Sequence, residues 1–267
     1  MDALLAAIAE KQEALRRIRP LAAHALRALD HLYDLELTYT SNAIEGNTLS
    51  AAETQLIIEK GITIGGKPLR DHLEALDHYD ALRWVRGIAA AQPPYPLAEL
   101  ELRNLHRLVL QRAQPEIAGR YADQGRYVLT DDGRHAFPSP AEVPALMADF
   151  ARWLGTAAAT PLVAVEAHRR LVEMHPFNDG NGRTARLLMN LLLLRGGYPP
   201  VSVRPQDRPA YVQALQRHQG GGGSDDFDRL LLQRLDDTLA DYLAALRQAV
   251  LGPDTPSSQA STQTRTP

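Results

Sequence analysis

Residues 175–194 read His175-Pro-Phe-Asn-Asp-Gly-Asn-Gly-Arg-Thr-Ala-Arg186-Leu-Leu-Met-Asn-Leu-Leu-Leu-Leu194, and Gly196-Gly197 follow close behind. A glycine-rich loop runs straight into an apolar segment with no polar face. A helix that is apolar all round is buried, so this one needs other helices to cover it. The flanking sequence supplies them. Leu4, Leu5, Ile8, Leu15 and Ile18 line one face of a first helix ending near Pro20. Helical patterns recur over residues 21–45, 54–59, 71–91, 97–111, 140–155, 160–174, 209–217 and 226–247. Ser50-Ala-Ala-Glu53 is a capping box. Ser139 caps a helix whose first position is Pro140. Beta character is confined to residues 120–136, where Tyr127-Val-Leu-Thr130 and Arg134-His-Ala-Phe137 flank an Asp131-Asp-Gly133 turn. The fold class is all-α, with one small hairpin.

The remaining composition sets limits on function. With 267 residues the chain makes one or two domains. The break at Gln92-Pro-Pro-Tyr-Pro96 divides it into an N-terminal helical region, 1–92, and a core, 93–250. Residues 251–267 are rich in Pro, Ser, Thr and Gln and read as a disordered tail. A net charge of −3 argues against nucleic acid or anionic lipid as a bulk-charge partner. The chain has no cysteine, which excludes disulfide scaffolds, thiolate metal sites and thiol nucleophiles. No apolar run reaches the ~20 residues of a spanning helix. The N-terminus does not read as a signal peptide, so the expected location is the cytoplasm.

Two apparent sites dissolve on inspection. Gly61-Ile-Thr-Ile-Gly-Gly66-Lys67 follows most of the phosphate-loop pattern, but Pro68 stands where a Ser or Thr hydroxyl is needed. His72, His78, His106 and His168 show no metal-ligand spacing and read as solvated or hydrogen-bonded histidines.

The loop at 175–186 differs, because its residues form a set. His175, before Pro176 at the lip of a tight loop, suits a general base near neutral pH. Phe177 anchors the loop. Asp179 is a hard oxygen ligand of the kind that holds Mg²⁺ together with phosphates. Gly180-Asn181-Gly182 opens a helix, where free N–H groups and the dipole favour an anion. Arg183 and Arg186 leave the first turn on one side and suit forked phosphate contacts. A capping loop and a solvated face would account for any one of these positions. Together they suit transfer of a phosphate-linked group from a nucleotide to a hydroxyl. With no Ser or Cys nucleophile beside the base, direct transfer is the simpler course.

The segment resembles the core motif of the Fic (fido) family, HPFx(D/E)GNGRxxR, and meets every fixed position. The resemblance covers roughly residues 97–246. It implies a Fic-type helical core with a hairpin flap, and transfer of AMP from ATP to a Ser, Thr or Tyr hydroxyl of a protein. His175 would deprotonate that hydroxyl and Asp179 would hold Mg²⁺. Asn178, Gly180, Asn181 and Gly182 would line the nucleotide, and Arg183 and Arg186 would orient its outer phosphates. The flap at 127–137 would dock the target as an added strand. Adenine would lie near Tyr211, with Gln219 beside it. A homodimer is a further implication. The flap departs from the family form in having Ala122 where Arg is common, which leaves target choice open.

A second stretch is Ser41-Asn-Ala-Ile-Glu45-Gly46. Locally it reads as a helix end with Gly46 as the left-handed stop. Glu45 then faces the negative end of the helix dipole, a position a cationic partner would relieve. The stretch resembles the family's inhibitory motif, (S/T)xxxE(G/N), which implies that Glu45 reaches Arg186 and holds the enzyme in check. Alternatives to transfer are removal of AMP from a modified protein, transfer of another phosphate-linked group, and a non-enzymatic ATP sensor.

Overall fold

The computed structural model describes residues 1–92, 96–130 and 133–251. Ten α-helices and one two-stranded sheet occur among them: α1 (Asp2–Ile18), α2 (Ala23–Ile44), α3 (Ala51–Lys60), α4 (Leu69–Ala89), α5 (Glu99–Leu110), β1 (Tyr127–Thr130), β2 (Gly133–Ala136), α6 (Val143–Thr156), α7 (Pro161–Met174), α8 (Asn181–Arg195), α9 (Arg208–Gln219) and α10 (Asp225–Leu251). The turn residues Asp131 and Asp132, the break residues Pro93–Tyr95 and the expected tail at 252–267 lie outside the described residues.

The apolar helix is the axis of the fold. α8 is buried along nearly its whole length, from Asn181 to Leu193. α7, α4, α5 and α2 pack around it, and α1 lies along α10. One apolar core runs from Ile8 to Leu246 and includes residues from both sides of the 92–96 break. A small second cluster, Leu49, Ile57 and Ala75, joins α3 to α4.

Local chemistry sets the helix ends. Ser50 Oγ accepts the Glu53 N–H at 3.2 Å, and the Glu53 carboxylate accepts the Ser50 N–H at 2.7 Å, so α3 opens with the expected capping box. Gly61 closes it in the left-handed region, φ 64°. Lys67, the lysine of the phosphate-loop look-alike, donates to the Thr48 carbonyl and pairs with Glu53. The hairpin pairs Tyr127 with Ala136 and Thr130 with Gly133, so its second strand starts one residue before Arg134.

One expected helix start moves. Ser139–Glu142 is a turn in which the Glu142 carboxylate takes the Ser139 N–H and hydroxyl, and α6 begins only at Val143. Of the two expected states of the four histidines, solvated or hydrogen-bonded, all four take the second. His72 is 6% exposed, His78 1%, His106 0% and His168 0%, each with hydrogen-bond partners inside the protein. No helix among the described residues is long and apolar enough to cross a membrane.

Candidate active site

The site is the loop between α7 and α8. α7 ends at His175, whose N–H reaches back to the Leu171 carbonyl at 3.0 Å. His175 has φ 43°, the one non-glycine residue with positive φ among those described. A side chain in that region is held there by its surroundings, and here the constraints are visible. The His175 carbonyl accepts from Arg126 Nη1 at 2.7 Å, and the Pro176 carbonyl accepts the Ala122 N–H at 2.9 Å. Phe177 is fully buried and stacks on His106 with centroids 3.6 Å apart. Both amide atoms of Asn181 clasp its backbone, Oδ1 taking the N–H at 3.0 Å and Nδ2 donating to the carbonyl at 2.8 Å. The Asn181 side chain thus shapes the loop, and what it offers a ligand is its backbone N–H.

The His175 ring lies face to face with Phe137, just past β2, at 4.0 Å and 12°. Burial lowers its pKa to about 4, with the Arg126 charge adding to this and Val172, Glu45 and Asp179 opposing it. It is neutral at pH 7, as a base must be. Its Nδ1 is buried, which leaves Nε2 as the nitrogen for a substrate proton.

Asp179 is drawn in from several sides. Oδ1 accepts the Gly180 N–H at 2.6 Å and Arg183 Nη2 at 3.3 Å, while Oδ2 accepts Arg70 Nη2 at 3.0 Å and Gln114 Nε2. Burial pushes its pKa up, but Arg183, Gln114, the Gly180 N–H and Arg70 outweigh this and hold it below the usual range. Among the described residues no three His, Asp or Glu side chains group as a metal site. Asp179 on the loop stays ionised and is 38% exposed. That fits Mg²⁺ bound mainly through the phosphates of a nucleotide.

Gly180 caps α8 with φ 77°, and a Cβ there would press on His106 and Leu110. Arg183 and Arg186, three residues apart, turn to different partners. Arg183 is 2% exposed and lies between Glu74 of α4 and Asp179, each at 3.3 Å. Arg186 meets the end of α2: Nε donates to Ser41 Oγ at 2.9 Å, and Nη2 to the Ser41 carbonyl at 2.8 Å and to Glu45 Oε1 at 2.7 Å. Burial alone would lower the Arg186 pKa, yet Glu45 and Tyr211 leave it raised. Gly46 stops the helix with φ 94°. Glu45 Oε1 lies so close over Gly182 that a Cβ there would collide with it. Residues 41, 45, 182 and 186 are thus one cluster.

Tyr211 lies on the buried side of Arg186, which it also meets through a side-chain hydrogen bond. It is 3% exposed, its hydroxyl meets His168 Nε2 at 2.9 Å, and its ring packs on Phe227, so no face is left for a base. Gln219 does line an open cavity of about 580 Å³, with His135, Phe137, Pro138 and His218. Sequence reasoning passed over Arg70, Glu74, Gln114 and Arg126, and gave His106 no part in the site. His106 is the most consequential of these. Its Nδ1 accepts the Gly119 N–H and its Nε2 donates to the Asp179 carbonyl, both at 2.9 Å, so the ring is neutral and fixes the backbone that carries Asp179. Its place on the buried face of α5, beside Leu102, Leu105 and Val109, was the available signal.

The Fic/DOC family matches residues 96–193 of this chain. Protein adenylyltransferase Fic of Nematostella vectensis is 36% identical over 253 residues, which cover 93% of this chain and 58% of that protein. The protein of the same name from Culex quinquefasciatus is 36% identical over 78% of this chain and 41% of its own length. The chain thus spans about half the length of these curated relatives. Among solved structures, a Fic domain containing signaling protein from Bacteroides thetaiotaomicron superposes with a TM-score of 0.82 at 29% identity, covering 93% of this chain and 100% of that one. Fic-1 from C. elegans gives 0.76 at 32% identity, covering 90% and 74%. Fold, loop and relatives agree, and this chain belongs to the Fic/DOC family.

Proposed function

We propose that this chain transfers AMP from ATP to a Ser, Thr or Tyr hydroxyl of a protein, itself included, and that Glu45 restrains the reaction. The observation that carries this reading is the carboxylate seated over Gly182 at the start of α8 and paired with Arg186. An acidic oxygen already occupies the place where the free N–H groups and dipole of α8 favour an anion. The base and the ionised Asp179 stand on the same loop.

With Glu45 withdrawn, a triphosphate fits along residues 180–182, its outer end against Arg186. Arg183 Nε, buried and without a hydrogen bond, offers a further donor. Magnesium held by Asp179 would neutralise phosphate charge. His175 Nε2 takes the proton of the incoming hydroxyl, the oxygen bonds to the α-phosphorus, and the bond to the β-phosphate breaks, releasing pyrophosphate. The base of the nucleotide belongs in the cavity beside Gln219 and Phe137. The target belongs on the hairpin, where Tyr127 and Leu129 are 51% and 73% exposed. With Glu45 in place, the outer phosphates lose Arg186 and the α-phosphorus is not aligned.

The test is self-modification with labelled ATP. Glu45→Gly raises labelling about tenfold or more, the equivalent of releasing one charged contact of ~1.4 kcal/mol, and His175→Ala abolishes it. Equal labelling in wild type and Glu45→Gly overturns the restraint. No labelling in either, but AMP release from a modified target, replaces transfer by removal.

A further inference from the structure

Glu45 must be held over Gly182 by something besides Arg186, because it ends its helix and its side chain is 38% exposed. The last carbonyls of a helix have no partner within it. At the end of α2, the Asn42 carbonyl takes the N–H groups of Glu45 and Asn47 at 3.0 and 3.1 Å, and the Ala43 carbonyl takes that of Gly46 at 3.1 Å. The Ile44 carbonyl is reached from across the molecule, by Arg208 Nε at 2.8 Å. Arg208 is the first residue of α9. Its neighbour Asp207 is anchored in turn, accepting the Arg204 N–H at 3.1 Å and Arg234 Nη2 of α10 at 2.6 Å. The Ile44–Glu45 peptide is therefore gripped on its carbonyl by Arg208, whose neighbour Asp207 is tied to α10, and on its N–H by the turn of α2.

We infer that Arg208 is a positioning residue for the brake: it tethers the peptide that aims Glu45 at Arg186. The inference rests on the restraint proposed above, and adds that release requires the start of α9 to let go of the end of α2. A peptide plane held from both sides sets the direction in which the next side chain leaves. Without the guanidinium, Glu45 leaves its seat more often, and nucleotide meets an open cradle more of the time. Arg208 lies at the surface, so its truncation leaves the core intact.

Two readouts test this on the full chain. The first is amide exchange over residues 42–47, whose N–H groups report the end of α2. Arg208→Ala speeds it about tenfold, the size of one charge-assisted hydrogen bond, and Arg208→Lys recovers part of the loss. The second is self-labelling with ATP. Arg208→Ala raises it part of the way to the Glu45→Gly level, and the double variant labels like Glu45→Gly alone. Damage to the fold would lower labelling instead. Unchanged exchange in Arg208→Ala overturns the tether. Faster exchange without a rise in labelling overturns its bearing on the brake, and a double variant weaker than Glu45→Gly makes Arg208 part of the nucleotide site. If Glu45→Gly itself does not label, the restraint falls, and exchange still decides whether Arg208 holds the helix end.

Discussion

Acid should unfold this protein at a mildness set by four imidazoles. Burial lowers the pKa of His78 and His168 to about 3, and that of His106 and His175 to about 4. In the unfolded chain each returns to ~6.5. The folded state stays neutral where the unfolded state takes up protons, so stability is full above ~6.5 and falls with pH from there toward ~4. Near pH 5.3 the unfolded state holds almost four more protons. At ~1.36 kcal/mol per proton per pH unit, the slope there is ~5 kcal/mol per unit. Asp34 and Asp77, raised by burial, oppose this trend at lower pH, and Asp179, held below its usual range, reinforces it. A domain with an ordinary stability of ~5–15 kcal/mol therefore loses its fold between pH ~4 and ~5.5. Urea unfolding followed from pH 7.5 to 5 gives the slope directly. His78→Gln, which removes one buried imidazole, flattens it by ~1.4 kcal/mol per unit. A wild-type slope below that figure near pH 5.3 would refute the reasoning.

Three further outcomes follow from the site. Asn181→Ala removes both hydrogen bonds that fix the Phe177 backbone, and denaturant unfolding should show a loss of about 2 kcal/mol with the helix content unchanged. Phe137→Ala uncovers the His175 ring and lets its pKa rise toward the ordinary histidine value, so the acid limb of the labelling rate moves to higher pH; an unmoved limb in a pH–rate profile contradicts the stacking account. Asp179→Asn removes the charge and turns a donating amide nitrogen toward one pair of donors, so labelling loses its response to added Mg²⁺ and thermal unfolding moves to lower temperature as well.

The helices were legible because their apolar spacing and end signals are local. Ser50-x-x-Glu53, Thr160-Pro161 and Gly196-Gly197 each mark an end by chemistry within four residues. The start of α6 was misplaced because Glu142 can serve a turn as well as a helix, and only packing of Val143 and Met147 separates the two. The loop at 175–186 announced its residue types, but not their partners. Arg183 and Arg186 share a face by spacing, yet the acids that meet them, Glu74 and Glu45, come from α4 and α2. His106, Arg126 and Gln114 carry no pattern of their own; their roles exist only where distant segments meet. Tyr211 reads from the sequence as an aromatic near the site; its bonds to His168 and Arg186 exist only where α7, α8 and α9 meet.

The continuous core has a practical consequence for anyone wishing to produce an unrestrained form. α2 and α4 are not an appendage that covers the cradle from outside. Leu82 and Val85 are as interior as the leucines of α8, Tyr33 and Leu37 are buried beside them, and Ile8 and Leu15 of α1 share the same core as Leu235 and Leu239 of α10. Trimming the first ninety-odd residues would strip the scaffold along with the regulator and leave an oily, insoluble remnant. Freedom from restraint has to come through single side chains at the joint, with the surrounding masonry left standing.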